Sequence, residues 1–266
     1  MSPRGSAADS PGEVHDRLLR WHGQVRAAIA SQRLDLPFAR VFITDDLPEV
    51  YDLNLVAVTT QVPPAVLLRS VERIAVTAQW EHRRVEIDDP AVAATLRAPL
   101  IDAGYAEQRF VTMALTGPSE LGDDLIPSTA VVAIAAQRDL GRRLIAEEPW
   151  ADSEALIDQM TDREHRLGRV AGGRAVIAPP DDPVSRCLLL VSDGLAEIDT
   201  VSTLDTHRGQ GWSRAVMRRA IDAARDLGAE DVVLVADADD WPRAWYRRLG
   251  FREVGRSFAY LRAPER

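Results

Sequence analysis

Lysine is absent from this chain: all 32 basic residues are arginine. That removes the P-loop, which needs a lysine reaching the β- and γ-phosphates of a nucleotide. Cysteine is nearly absent. Cys187 stands alone in the sequence, so no intrachain disulfide can form, and the cytoplasm is the default compartment. Its place in RCLLLVS reads as a small buried hydrophobe. No apolar run approaches the roughly 18 residues of a membrane span, so no membrane partner is expected. The opening MSPRGSAADSPGEV is polar and lacks an apolar core, which argues against a secretory leader. Residues 1–11 read as a disordered tail. The five histidines are scattered, with no H-x-x-x-H and no C-x-x-C, so no metal site is expected. Net charge is −9, which argues against a phosphate-backbone partner, and no nucleic acid is expected.

What remains is an ordinary globular composition. The 266 residues are 46% hydrophobic and 27% charged, enough for one large domain or two smaller ones. The stretch TGPSELGDDLIP, Thr116 to Pro127, reads as a linker between halves of domain size. This places one unit at 12–115 and another at 128–266.

In the first half, LLRSVERIAVTAQWE reads as a helix and RRVEI, Arg83 to Ile87, as a strand. DDPAVAATLRAPLIDAG follows as a helix, with Asp88 or Asp89 near its cap, Pro90 in its first turn and Gly104 at its stop. YAEQRFVTMAL then alternates as a strand. The second half begins with a strand in AVVAIA and two helices in QRDLGRRLIAEE and ADSEALIDQMTDREHR. GRAVIAP and RCLLLVS are strands, and Asp193-Gly194 signals a hairpin into LAEIDTVSTL. In SRAVMRRAIDAARDLG, Met217, Ala220, Ile221, Ala224 and Leu227 fall at helical spacing. DVVLVA is a buried strand, WPRAWYRRLG a short helix, and FREVGRSFAYLR two short terminal strands.

Between strand and helix lies HRGQGWSRAV, His207 to Val216. A glycine turn feeding a helix points backbone N–H groups at one spot, where the helix dipole favours an anion. A Rossmann fingerprint needs Gly or Ala three residues after Gly211, where Arg214 stands, and the segment does not open a βαβ unit. A coenzyme A pyrophosphate is the phosphate ligand that still fits.

Arg208-Gly209-Gln210-Gly211-Trp212-Ser213 resembles the Q/R-x-x-G-x-G/A signature of the GNAT N-acetyltransferase superfamily. VSTLDTHRGQG is similar to that family's approach into the turn, and WYRRLGF to its L-Y-x-x-x-G-F. The resemblance covers about residues 128–262, with three departures. Ser213 stands where Gly or Ala is usual, Asp205 replaces a common proline, and Asp239 stands where an asparagine often contacts the cofactor. The first half has the fold's strand–helix–strand tail without the turn and resembles a degenerate GNAT-like half of a tandem protein.

The resemblance implies an α/β (α+β) fold: a mixed central sheet with a splayed strand pair and flanking helices, preceded by a smaller α/β GNAT-like domain. It implies acetyl-CoA as co-substrate, with pantetheine along Val201, Ser202 and Thr203. The pyrophosphate would lie on Arg208, Gly209, Gln210, Gly211, Trp212, Ser213 and Arg214, and Asp239 would stand at the asparagine position. It also implies transfer of acetyl to a primary amine by direct attack on the thioester, with the small-molecule acceptor unnamed and a homodimer allowed. The other reading is a regulatory module that binds acetyl-CoA without turnover. Tyr246 stands at the family's general-acid position and would also contact the cofactor. Glu197 and Asp199, two apart on one strand face, are base candidates or else an exposed face. His207 reads as a surface residue, Trp212 as a packing anchor, and Trp241, Trp245 and Phe258 as core or acceptor-pocket wall.

Overall fold

A computed structural model describes residues 10–117 and 128–264. The tail expected over 1–11 falls largely outside that range. Ser10 and Pro11, its last residues, start a helix instead. The Ser10 side chain accepts from the Glu13 amide while Glu13 reaches back to Ser10, so α1 (Pro11–Ile29) opens on a capping box. Most of the expected linker, 118–127, also lies outside the described residues.

Strands β1 (Gln32–Leu36) and β2 (Ala39–Ile43) form a hairpin, followed by β3 (Leu55–Val58), α2 (Pro64–Thr77), β4 (Arg83–Ile87), α3 (Pro90–Asp102) and β5 (Ala106–Leu115). Neither α1 nor the three strands before α2 is marked by the sequence pattern. β1 is almost wholly exposed and β3 spans only four residues, so neither carries a clear periodicity. Asp89 is the residue that caps α3, accepting from Ala91 at 2.7 Å.

The second half contains β6 (Ala130–Ala133), α4 (Arg138–Ala146), α5 (Glu154–Val170), β7 (Arg174–Ala178), β8 (Ser185–Ser192) and β9 (Leu195–Thr203). It continues with α6 (Trp212–Asp226), β10 (Asp231–Asp237), α7 (Pro242–Arg248) and β11 (Phe251–Arg262). Positive φ at Asp193 and Gly194 makes the turn between β8 and β9. The apolar stripe of α6 is buried through Ala224, but Leu227 lies past the helix end and is exposed.

These strands form one mixed sheet in the order β1-β2-β3-β4-β11-β5-β10-β9-β8-β7-β6. The parallel pairs β3/β4 and β9/β10 each span a crossover helix, α2 and α6. The unit strand–helix–strand–helix–strand therefore occurs twice, as β3-α2-β4-α3-β5 and β9-α6-β10-α7-β11. Each unit gives its last strand to the other: β5 pairs with β10, and β11 pairs with β4. The two donated strands pair with each other in the centre.

The chain thus ends in one twelve-residue strand where two short ones were expected. At Gly255 the strand only shifts register against β5, between Glu253 and Gly255, and continues. The Phe251 end packs with α6 and α7, while Tyr260 packs with α2 and α3. Gly255 is required for a different reason: a Cβ there would overlap the ring of His15 on α1. His15 is itself buried and bonded to Thr112 of β5 at 2.9 Å, so it has little room to yield. Gly255→Ala should destabilise the fold by about 1–3 kcal/mol through overpacking, at about 2–4 °C of melting temperature per kcal/mol. Adding His15→Ala should return most of the loss attributable to the clash, as measured by thermal melts of the single and double variants.

Candidate active site

β9 and β10 run together only where Leu195–Glu197 face Asp231–Val233. Beyond that, β10 stays with β5 as far as Asp237, while β9 stays with β8 as far as Thr203. The two strands splay, and a wedge opens between them. β9 carries its own distortion on the open side. Its register against β8 shifts between Arg186 and Leu188, and Thr200 takes a φ of +52°. A bulge of this kind turns successive side chains and amides away from the regular pleat.

A cleft of about 740 Å³ occupies the wedge. That is within the range of small-molecule sites. Val201, Ser202, Thr203, Arg208, Gly209, Gln210, Gly211, Trp212, Ser213, Arg214 and Tyr246 all line it. The glycine turn sits at its mouth. Gly209 and Gly211 have φ of +77° and +87°, a region that side-chain-bearing residues rarely adopt. An added Cβ at either would meet nothing within 4 Å, so the space beside the backbone is open. α6 begins at Trp212 with no side-chain cap on its first turn. Its leading N–H groups and the dipole's positive end, equivalent to about half a charge, face that space. Ser213, the departure from Gly or Ala, accommodates the turn by bonding Thr203 Oγ1 at 2.7 Å. Asp205 pairs with Arg208 at 2.6 Å.

Further lining residues come from the end of α4 (Leu144, Glu147, Glu148) and the entry of α7 (Asp240, Trp241, Trp245). Trp241 is exposed and Trp245 packs partly against the α6 core. Trp212 bridges two core clusters, with Nε1 donating to Gln210 at 3.3 Å. His207 is half-buried and bonded to Thr206 at 2.9 Å. Phe258 is partly buried against the first-half core, away from the cleft.

Three of the candidate residues do not line the cleft. Asp239 is held in a bidentate pair by Arg109 of β5, at 2.7 and 2.9 Å from Nη2. Glu197 is buried and bonded to His22 Nε2 at 2.8 Å. Asp199 accepts from the Thr200 amide at 2.8 Å. Burial raises its pKa, and Glu197 adds to the rise against the opposing pull of Arg163. Tyr246 is nearly buried, and burial pushes its phenol well above the usual value, with Asp199 contributing. His22 could not be found from sequence: it lies 175 residues from Glu197 and belongs to no motif. Among the described residues, no group of three or more His, Cys, Asp or Glu is placed to hold a metal ion, and no helix is long and apolar enough to cross a membrane.

The model of the acetyltransferase (GNAT) family matches residues 136–251. Residues 136–251 are a GNAT acetyltransferase domain. Its sheet is completed by β5 from the first half and by the rest of β11. N-acetyltransferase 8 of Mus musculus is 34% identical over 92 residues, covering 34% of this chain and 37% of that protein. The chain therefore spans little more than a third of the length of that curated relative. Among solved structures, a GCN5-related N-acetyltransferase from Kribbella flavida shares the GNAT fold, with a TM-score of 0.65 and 19% identity over 96% of both chains. A tandem GNAT protein from the clavulanic acid biosynthesis pathway matches with a TM-score of 0.56 and 13% identity, over 86% of this chain and 79% of that one.

Proposed function

We propose that this GNAT domain binds acetyl-CoA in the splayed cleft and transfers its acetyl group to a primary amine. The observation that carries the reading is the glycine turn: two left-handed glycines, an uncapped helix start and open space beside both, all lining the cleft. Diphosphate oxygens would accept from the Gly211 to Arg214 amides, and the pantetheine would lie along Val201 to Thr203.

The neutral amine attacks the thioester carbonyl carbon, forming C–N, and the C–S bond then breaks to release the thiolate. Neither carboxylate lines the cleft, so the proton lost by the amine passes to the pair through water, with Glu197 as the base. Tyr246 serves the leaving sulfur. Its raised pKa keeps the phenol protonated, so its O–H is available to donate to the developing thiolate charge. Removing that donor should lower kcat by about 100-fold. The Tyr246→Phe variant should show this in a thiol-release assay across an amine panel, with acetyl-CoA affinity nearly unchanged. An unchanged kcat would remove Tyr246 from the reaction.

Glu147, Glu148 and Asp240 give the cleft an acidic rim, and the chain carries −9 overall. Both favour a cationic amine as acceptor. The first half we assign as a degenerate GNAT-like unit, 12–115, that supports the second, 128–266. At the position of its glycine turn stand Pro63 and Pro64, which begin α2. Proline has no N–H, so that helix start lacks two of the donors a diphosphate requires. A second reading, an acetyl-CoA-binding module without turnover, draws on Asp239 being engaged by Arg109 outside the cleft. Tight CoA binding in calorimetry with no thiol release on any amine would decide for it.

A further inference from the structure

α1 belongs to the first half but lies across the second. Four of its residues tie it to four strands: His15 to Thr112 of β5, Arg17 to Asp231 of β10, His22 to Glu197 of β9 and Arg26 to Glu86 of β4. A helix anchored at this many points has little freedom to rotate, so the His22 ring is fixed against the Glu197 carboxylate. Their side chains are 27% and 8% exposed. Neither residue's partner is within the same half of the chain.

The charges facing His22 come from several elements. Glu197 and Asp199 face it from β9, Arg26 and His15 from its own helix, and Asp88 from the end of β4. The nearby Arg163 of α5 is paired with Asp52 at 2.7 Å. Arginine keeps its charge at every working pH. Of the cations around Glu197, His22 is therefore the one whose charge can change near neutrality. Burial disfavours its protonated form, but the Glu197 carboxylate outweighs this and its pKa stands above the usual 6.5.

The protonation state of His22 changes what Glu197 can do. A protonated ring places its positive charge against the carboxylate, where it repels a further proton. A neutral ring still donates Nε2–H, which keeps the carboxylate in place, but supplies no countercharge. An incoming proton then meets no opposing charge from the ring.

We propose that His22 is a positioning residue for the transfer reaction, contributed by the first half, which orients Glu197 and sets the pH at which that carboxylate accepts the acceptor amine's proton. This rests on the acetyl-transfer reading given above.

Two measurements on the full chain test it. The first is an NMR titration of the His22 ring, assigned by its loss in His22→Gln. In wild type its midpoint should lie above 6.5, and in Glu197→Gln it should fall by about one pH unit, because burial is then opposed only by the weaker pull of Asp199. The second is the pH profile of kcat/KM. In His22→Gln, whose amide can still donate to Glu197, the acidic limb should move down by about one pH unit, with KM for acetyl-CoA unchanged. A His22 midpoint unmoved by Glu197→Gln would overturn the pairing whatever the turnover. An acidic limb that stays in place in a folded, active His22→Gln would overturn its role in the reaction. If wild type releases no thiol at any pH, the acetyl-transfer reading falls, and with it the role of His22, while the titration still decides the pair.

Discussion

Gly211→Val should weaken coenzyme A binding by roughly 100-fold, about 2.7 kcal/mol. Gly211 precedes the first residue of α6 with φ +87° and ψ 0°. A β-branched residue is an outlier in that region, and holding one there costs on the order of 1–3 kcal/mol. The chain can avoid the strain only by turning the peptide, which moves the amides of the first helical turn away from the diphosphate. If it accepts the strain, the new side chain occupies the open space beside the turn. Both routes remove binding. Titration calorimetry with CoA measures the loss directly, and thermal shift gives an independent reading. At a CoA concentration 100 times the wild-type Kd, wild type gains about 2.7 kcal/mol of stability, whereas a variant bound 100-fold more weakly gains about 0.4 kcal/mol. Because Gly211 is exposed and a Cβ there touches no protein atom, the free variant should remain folded. Wild-type affinity in Gly211→Val would show that the turn does not hold the phosphates.

Residues 128–266 expressed alone should fail to fold. β10 and β11 are not paired with each other: β5 lies between them, and β11 has β4 on its other side. Cutting the chain in the segment after β5 therefore deletes the central strand of the sheet and leaves the facing edges of β9-β10 and of β11 without partners. β5 also brings Val111 and Met113 into the core beneath α6 and α7. Losing it exposes apolar surface together with unpaired strand edges, a combination that aggregates. The fragment should lack a cooperative thermal transition and should not protect its β10 amides from hydrogen exchange. Supplying residues 1–117 in trans should restore both, since the missing pairs are β5 with β10 and β5 with β11. A monomeric 128–266 fragment that melts cooperatively would refute the account of the exchanged strands.

The second half was legible because its signals are local. The α6 stripe repeats at helical spacing, β10 is a continuous apolar run, and Asp193-Gly194 and Gly250 punctuate the elements. The glycine turn could be read for the same reason: its chemistry lies in consecutive residues. The opening of the first half could not. Its capping box sits in a segment that composition marks as tail, and β1 presents almost no buried face. Glu197 could be named as a base candidate, but its partner could not. Asp239 could be aligned with a cofactor contact, but not seen to be held by Arg109, 130 residues away.

By itself, the sequence determined the order of elements in the second half, the glycine turn at Gly209 to Gly211, and the exclusion of a lysine-dependent phosphate site. Each follows from one residue's backbone freedom, from side-chain period, or from the absence of a residue type. The tertiary structure alone decided which strand lies beside which: β5 between β10 and β11, β11 between β4 and β5. It also decided that α1 of the first half delivers His22 to Glu197. A period of 2 or 3.6 records that a face is buried but not what covers it. Pairings between residues 97 to 175 apart leave no mark on the segments they join.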